Sequence, residues 1–150
     1  MAIKLGMDAK LYHVSGGGPI VSDMPAWDEI GDVRDVTLTV EAGEADVTTR
    51  GNNVWRARIG TLKDAEVTFE MIWDTANTAF AALLTAFLNK TALGVAVMDG
   101  PIGTTGSQGL WANMSVIKFN REEKLEDAIK ASVTLKPTFS AIAPEWKTIV

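Results

Sequence analysis

No cysteine occurs in the chain, and His13 is its only histidine. The first absence excludes a disulfide framework, a thiolate zinc site and a cysteine nucleophile. The second removes every mechanism that needs two imidazoles. Long hydrophobic runs are missing as well. The apolar run Ala79–Leu84 falls far short of the roughly 18–20 residues of a membrane span. Met1–Asp8 holds no apolar stretch of signal-peptide length. The expectation is a soluble protein, without a membrane anchor, made in a cytoplasm.

What is present is ordinary for one globular domain. The chain has 150 residues, of which 47% are hydrophobic and 22% charged, enough for a core without covalent staples. The net charge of −5 argues against a nucleic-acid-binding surface over the whole molecule.

Much of the sequence alternates apolar and polar residues. Val36, Leu38 and Val40 alternate with Asp35, Thr37, Thr39 and Glu41. Ala45 and Val47, then Val67, Phe69, Met71 and Trp73, then Ile129, Ala131, Val133 and Leu135 repeat the pattern. Each segment reads as a half-buried strand, and such strands favour antiparallel sheet. Residues 3–14, 93–98 and 110–119 read as strands with less regular alternation. Glu41–Glu44 reads as a tight hairpin turn, with Gly43 free to take positive φ.

Residues 75–90 differ, because Phe80, Leu83, Leu84, Phe87 and Leu88 recur at helical spacing. Asp74 or Thr75 is placed to cap this helix. Its Phe80/Leu84/Phe87/Leu88 stripe is expected to pack on a sheet. The predicted fold class is therefore mainly β (α+β): an antiparallel β-sandwich or small barrel with one flanking amphipathic α-helix at about 75–90. Residues 1–150 form one domain. Two long connections, 15–26 and about 49–62, and a C-terminal arm at about 141–150 complete it. Connections this long in a compact domain carry function or mobility.

Charge is segregated along the chain. Residues 20–49 hold eight acids and one base, a net −7, whereas residues 50–63 hold Arg50, Arg56, Arg58 and Lys63 without an acid, a net +4. Either these are two solvated surfaces of opposite sign, or the basic loop of one copy docks on an acidic face of the next. Head-to-tail contacts of the second kind generate rings and filaments.

Catalytic patterns fail one by one. Gly16-Gly17-Gly18 is not followed by the Gly-Lys-Ser/Thr of a phosphate loop. His13 and Ser15 lie two apart on a strand, without a nucleophile elbow. The acids around Gly43 miss the spacing of a calcium loop. No catalytic residue, cofactor site or metal site is assigned. Trp27, Trp55 and Trp146 lie in irregular segments, where large aromatics serve either interfaces or the domain's own core. A monomeric β-sandwich that binds a ligand on a platform of Trp27, Trp55 or Trp111 is one reading of them.

A second reading comes from resemblance. Asp32-Val33-Arg34-Asp35-Val36-Thr37-Leu38, Gly43–Gly51, Trp55-Arg56-Ala57-Arg58 and Leu62–Met71 follow one another in an order that resembles the tail tube (major tail) proteins of tailed bacteriophages. Trp73-Asp74, the helix with Phe80 and Leu83, Val97-Met98-Asp99-Gly100, Gly106–Leu110 and Val133–Pro137 continue that order. The resemblance implies a structural virion protein and not an enzyme. Its subunits self-assemble into rings, usually hexameric, that stack into a hollow tube for DNA. Type VI secretion tube proteins share that fold, so a secretion-system tube subunit is a further alternative. Implied partners are further copies and other tail proteins, such as sheath, tape measure, terminator and baseplate. Implied contact residues between subunits or rings are Arg50, Asn53, Trp55, Arg56, Arg58 and Trp146. Such lumens are usually acidic. The candidates for that face are Asp35, Glu41, Glu44 and Asp46 on one hairpin, or Glu66 and Glu70 on the following strand.

Overall fold

The structure, a computed structural model, describes residues 3–22 and 25–150. Among these residues the elements are β1 (Lys10–Val14), β2 (Trp27–Glu29), β3 (Val33–Asp46), β4 (Arg58–Ile72), α1 (Thr78–Asn89), β5 (Leu93–Met98), β6 (Gln108–Glu122), β7 (Lys130–Pro137) and β8 (Glu145–Thr148). Every strand pairing is antiparallel, in the order β2-β1-β5-β6-β7-β4-β3, with β8 also beside β6. The fold is mainly β with one helix, as the alternation predicts.

β6 organises the rest. Its first half, Gly109–Met114, pairs with β5, while Gln108–Trp111 also pairs with β8. Its second half, Met114–Glu122, pairs with β7. A bulge between Val116 and Lys118 leaves Ile117 without a partner at the change-over. A strand that leaves one sheet for another through a bulge turns the corner of a sandwich. One sheet is β2-β1-β5-β6-β8 and the other is β6-β7-β4-β3. Their inner faces meet in one core: Leu11, Val95 and Ala112 from the first, Val67, Phe69, Met71 and Val133 from the second, with Phe80 and Leu83 of α1. Tyr12, Ile20, Ala96, Met98 and Trp111 form a smaller cluster on the other side of the first sheet. That sheet is thus apolar on both faces, which explains why residues 93–98 and 110–119 do not alternate cleanly.

Several boundaries differ from expectation for physical reasons. Residues 3–14 begin with a 3-10 turn at Gly6–Asp8 before β1. The expected turn at Glu41–Glu44 is part of one continuous strand, opposite a bulge in β4. Ala42 pairs with Lys63 and Glu44 with Gly60, so Gly43 alone faces Thr61 and Leu62. Gly43 is used for space, not for positive φ, since a Cβ there would lie 2.5 Å from Thr61 Oγ1. Asn77, not Asp74 or Thr75, caps α1: its side-chain oxygen accepts from the Ala79 amide at 2.8 Å, and its amide donates to Asp32 at 2.6 Å. The buried line of the helix is Ala79, Phe80, Leu83 and Ala86; Leu84 and Phe87 are half-buried, and Leu88 stands 67% exposed. Small residues on that line bring the helix close to the sheet and rotate Leu88 outward. The segment read as an arm is laid on the body through β8.

His13 faces the same side of β1 as the core residue Leu11, and is only 2% exposed. Neither ring nitrogen has a hydrogen-bond partner. Burial lowers its pKa below the ordinary 6.5 and outweighs the opposing effects of the Val14 backbone and Asp28. The unfolded chain therefore takes up this proton first as pH falls. Stability from this site is complete above about pH 6.5 and drains away below it until the folded pKa is passed, at up to about 1.4 kcal/mol per pH unit. Denaturant titration should show that loss, and His13→Leu should flatten it. An unchanged acid limb in the variant would contradict the assignment.

A second expectation concerns β6. A Cβ on Gly109 would lie 1.7 Å from the Val97 carbonyl oxygen, whereas one on Gly103 meets nothing within 4 Å. Gly109→Ala should lower stability by roughly 2–4 kcal/mol and Gly103→Ala by well under 1 kcal/mol. Thermal unfolding of the pair checks the difference, and equal melting points would refute it.

Candidate assembly surfaces

The β3–β4 hairpin is longer than the sheet that carries it. Its strands pair from Val33↔Met71 to Asp46↔Arg58, but β4 pairs with β7 only over Val67–Ile72. Beyond Val67 the hairpin continues as a two-stranded ribbon with no third strand among the described residues. Its loop is 47–57, shorter than the expected 49–62, because the ladder begins at Arg58. The loop is braced locally. The Val47 amide donates to the Ala57 carbonyl at 2.9 Å, and the Ala57 amide to Thr48 Oγ1 at 2.9 Å. Asp46 accepts from the Thr48 amide at 2.9 Å, and hydrogen bonds from Thr48 hold its carboxyl below the usual range.

Arg50, Asn53, Trp55 and Arg56 all lie in this exposed loop, with Trp55 at 76% exposure and Val54 at 93%. Asn53 combines φ 58° with ψ −122°, a positive-φ conformation outside the left-handed helical well. Arg58 is set apart from these four. It lies on β4 with Nε 3.5 Å from Glu44 Oε1, so its charge is directed within the hairpin. Trp146 is on β8, where its Nε1 donates to Gln108 Oε1 at 3.0 Å while the ring stays half exposed.

The two acidic alternatives become one surface. Directly opposed residues share a face, and the register sets Thr39 against Glu66 and Glu41 against Asp64. Asp35 and Glu41 on β3 therefore lie on the same outer face as Glu66 and Glu70 on β4. Asp64, omitted from the sequence reading, belongs with them; the even parity it shares with Glu66 and Glu70 was the available signal. Glu44 and Asp46 lie beyond the bulge opposite Gly43, on the ribbon. β7 continues the face with Lys130, Ser132, Thr134 and Lys136, and β6 with Lys118, Asn120 and Glu122. Acids gather on β3 and β4, and lysines on β6 and β7. The nearest cross-contact is Lys136 to Glu66 at 3.9 Å.

Both sides of this second sheet end in open backbone. β3 pairs with β4 on one edge only, and β6 beyond Met114 pairs with β7 on one edge only, among the described residues. Two hollows flank the core. A cleft of about 620 Å³ lies between β3 and β1, with walls that include Leu11, Ile30, Val33, Val36, Leu38 and Met98. A groove of about 790 Å³ runs between α1 and the glycine loop, over His13.

Neither hollow gathers a catalytic set, and no group of three or more metal-ligating side chains forms among the described residues. The tryptophans form no common platform. Trp111 is buried edge-on against Trp27 at 5.1 Å between ring centres, and its Nε1 donates to Met98 Sδ at 3.2 Å. Trp55 stands apart at the hairpin tip.

No protein-family model and no curated protein sequence matches this chain. Solved structures do match its fold. A chain of the SPP1 tail tube superposes with a TM-score of 0.73 at 10% identity, covering 99% of this chain and 81% of that one. A chain from the tail of an empty gene transfer agent particle, refined with C6 symmetry, gives 0.69 at 12% identity, covering 99% of this chain and 100% of that one. A chain from the sixfold-symmetrised anti-feeding prophage baseplate gives 0.61 at 9% identity, covering 99% of each. The chain is similar over nearly its whole length to tail-tube and baseplate subunits, and its fold is the one they share.

Proposed function

We propose that this protein is the structural subunit of a phage-type tail tube, assembled in the host cytoplasm and carried in the virion tail. Copies close into rings, six to a ring, and the rings stack into a hollow conduit for DNA. The observation that carries this reading is the second sheet. It has two open edges and one polar face rich in carboxylates and hydroxyls. Sheets set edge to edge, β3 of one copy beside β6 of the next, satisfy backbone groups that a lone copy leaves to water. The acidic edge of one copy then meets the lysine-bearing edge of its neighbour. The outer face turns inward to line the lumen. Asp35, Glu41, Asp64, Glu66 and Glu70 there repel DNA phosphates, so the polymer passes without sticking. The sixfold symmetry of two of the similar structures supports the ring size.

Contacts between rings fall to the hairpin loop with Arg50, Asn53, Trp55 and Arg56, and Trp146 on β8 offers a further aromatic surface. The subunit works by repeated contact and carries out no catalysis. Tube ends would meet other tail proteins. A second reading, a ring at the baseplate end of an injection device, draws on the likeness to the anti-feeding prophage component.

Negative-stain electron microscopy of purified protein should reveal rings and tubes that grow with concentration. A strict monomer at every concentration and salt would overturn the proposal. Arg50→Glu combined with Arg56→Glu should leave the circular dichroism spectrum unchanged, because both side chains are exposed. The double variant should shorten or abolish tubes. Tubes of ordinary length from it would remove the loop from the ring contact.

A further inference from the structure

The second sheet orders its strands β6-β7-β4-β3, so three antiparallel steps separate its two open edges. β3 and β6 therefore run in opposite directions. Rotation about a ring axis preserves that relation, and β3 of one copy meets β6 of the next as one more antiparallel pair. The outer faces stay continuous only if outer residues of β6 oppose outer residues of β3. That condition limits the join to registers two residues apart.

Within one copy, Thr37, Thr68, Thr134 and Lys118 lie in a single row across the sheet. A flat join would set the next copy's Thr37 beside Lys118. A closed barrel is not flat, because its strands tilt by about 35–45° to the axis. One residue of stagger per strand, as in an eight-stranded barrel of shear eight, gives a tilt of about 36°. A copy with four strands then advances the row by about four residues. Counted from Thr37, that step leads to Glu41 in one sense and to Val33 in the other. Val33 starts β3 and packs toward the core, so a join there would leave nearly all of β3 unpaired. The stagger therefore brings Glu41 beside Lys118.

Charge selects the same register independently. Lys118 lies on the outer face of β6. Arg121 and Glu123 share the opposite side, with Arg121 Nε 3.0 Å from Glu123 Oε1. The alternation thus continues past the end of β6 and returns Lys124 to the outer face. Asp35 and Glu41 are the outer carboxylates of β3. Among the described residues none of these four charges is in an ion pair, whereas Glu44 pairs with Arg58 and Glu66 with Lys136. The two lysines and the two carboxylates have the same spacing in sequence, so one antiparallel register opposes both pairs at once. In it Asn120 faces Thr39 and Glu122 faces Thr37, and on the core side Phe119 stands beside Val40, which is 53% exposed. One register back, Lys118 would face Thr39 and Glu122 would face Asp35, a like-charge pair. The flat register gives neither lysine a carboxylate.

We propose that copies join in this one register, with Lys118 against Glu41 and Lys124 against Asp35 of the next copy fixing the stagger of the ring. The inference rests on the edge-to-edge arrangement proposed above and assigns the residues that meet there. The backbone ladder holds the copies together, and the charges decide where it starts. Asp64 and Glu70 on β4 take no part and keep the face acidic.

All four side chains are exposed, so their reversal should leave the circular dichroism spectrum of the monomer unchanged. Lys118→Glu and Glu41→Lys should each reduce rings at least tenfold by electron microscopy. Combined in one chain, they should restore rings to within threefold of wild type. Lys118→Glu combined with Asp35→Lys should not. Rescue by Asp35→Lys, rescue by neither partner, or rings in wild-type amounts from Lys118→Glu alone would each overturn the register. The absence of cysteine permits a second readout. Preparations of Asn120→Cys and Thr39→Cys, mixed under assembly conditions and oxidised, should cross-link at least tenfold more than Asn120→Cys with Asp35→Cys, the pair that a flat join brings together. Equal yields, or the reverse order, would contradict the stagger while leaving the tube reading in place. Wild-type protein that never forms rings would instead sink the tube reading, and this register with it.

Discussion

β6 belongs to two sheets, and most of the molecule follows from that. It leaves β8 at Trp111 and β5 at Met114, and pairs with β7 from Met114 onward, through the Ile117 bulge. The first sheet is then covered on both faces by the core and by a second apolar cluster. The second sheet is covered on one face only. Its far strand, β3, is held on one edge by β4 alone. A long edge strand exposes a row of amides and carbonyls, which proteins usually shorten, charge or cover. Here it stays long and carries carboxylates on one face and half-covered valines on the other. That combination is the one the proposed edge-to-edge contact uses.

The electrostatic pattern gains meaning from the same geometry. The blocks of −7 and +4 along the sequence are not simply two patches. Part of the acidic block forms the outer face of β3. Another part stays within the hairpin, where Glu44 approaches Arg58 and Asp46 braces the loop through Thr48. The basic block divides likewise, with Arg50 and Arg56 at the tip and Arg58 in the ladder. Glu66 and Glu70, which belong to neither block, complete the acidic face across the β3–β4 register. A surface whose charge runs from carboxylates at one edge to lysines near the other favours one orientation of neighbours over its reverse.

Much of this was legible in the residues, and the failures have identifiable causes. Period-two alternation located β3, β4 and β7 because each has one wet face. It blurred over β5 and β6 because Val95 and Ala96 are both buried, on opposite faces. Gly43 reads as a turn residue in the sequence because glycine between acids is common in turns. β3 instead runs straight through, and the extra residue of the bulge lies opposite it in β4, at Thr61-Leu62. Leu88 falls in the stripe that spacing predicts because spacing defines a helical face only to within a residue or so, and Ala79 and Ala86 shift that face. The acidic surface stayed divided between two alternatives because register is a long-range property: only the pairing of Glu41 with Asp64 brings them together. Trp111 and Trp27 illustrate the same limit, since their mutual burial depends on strands distant in sequence.

The central claim is that one polar sheet face looks into a lumen. The direct measurement is a helical reconstruction by cryo-electron microscopy of tubes assembled from the purified protein. The account predicts Asp35, Glu41, Asp64, Glu66 and Glu70 on the inner wall, with α1 outside it. Tubes with α1 facing the lumen and those carboxylates on the outer surface would contradict it.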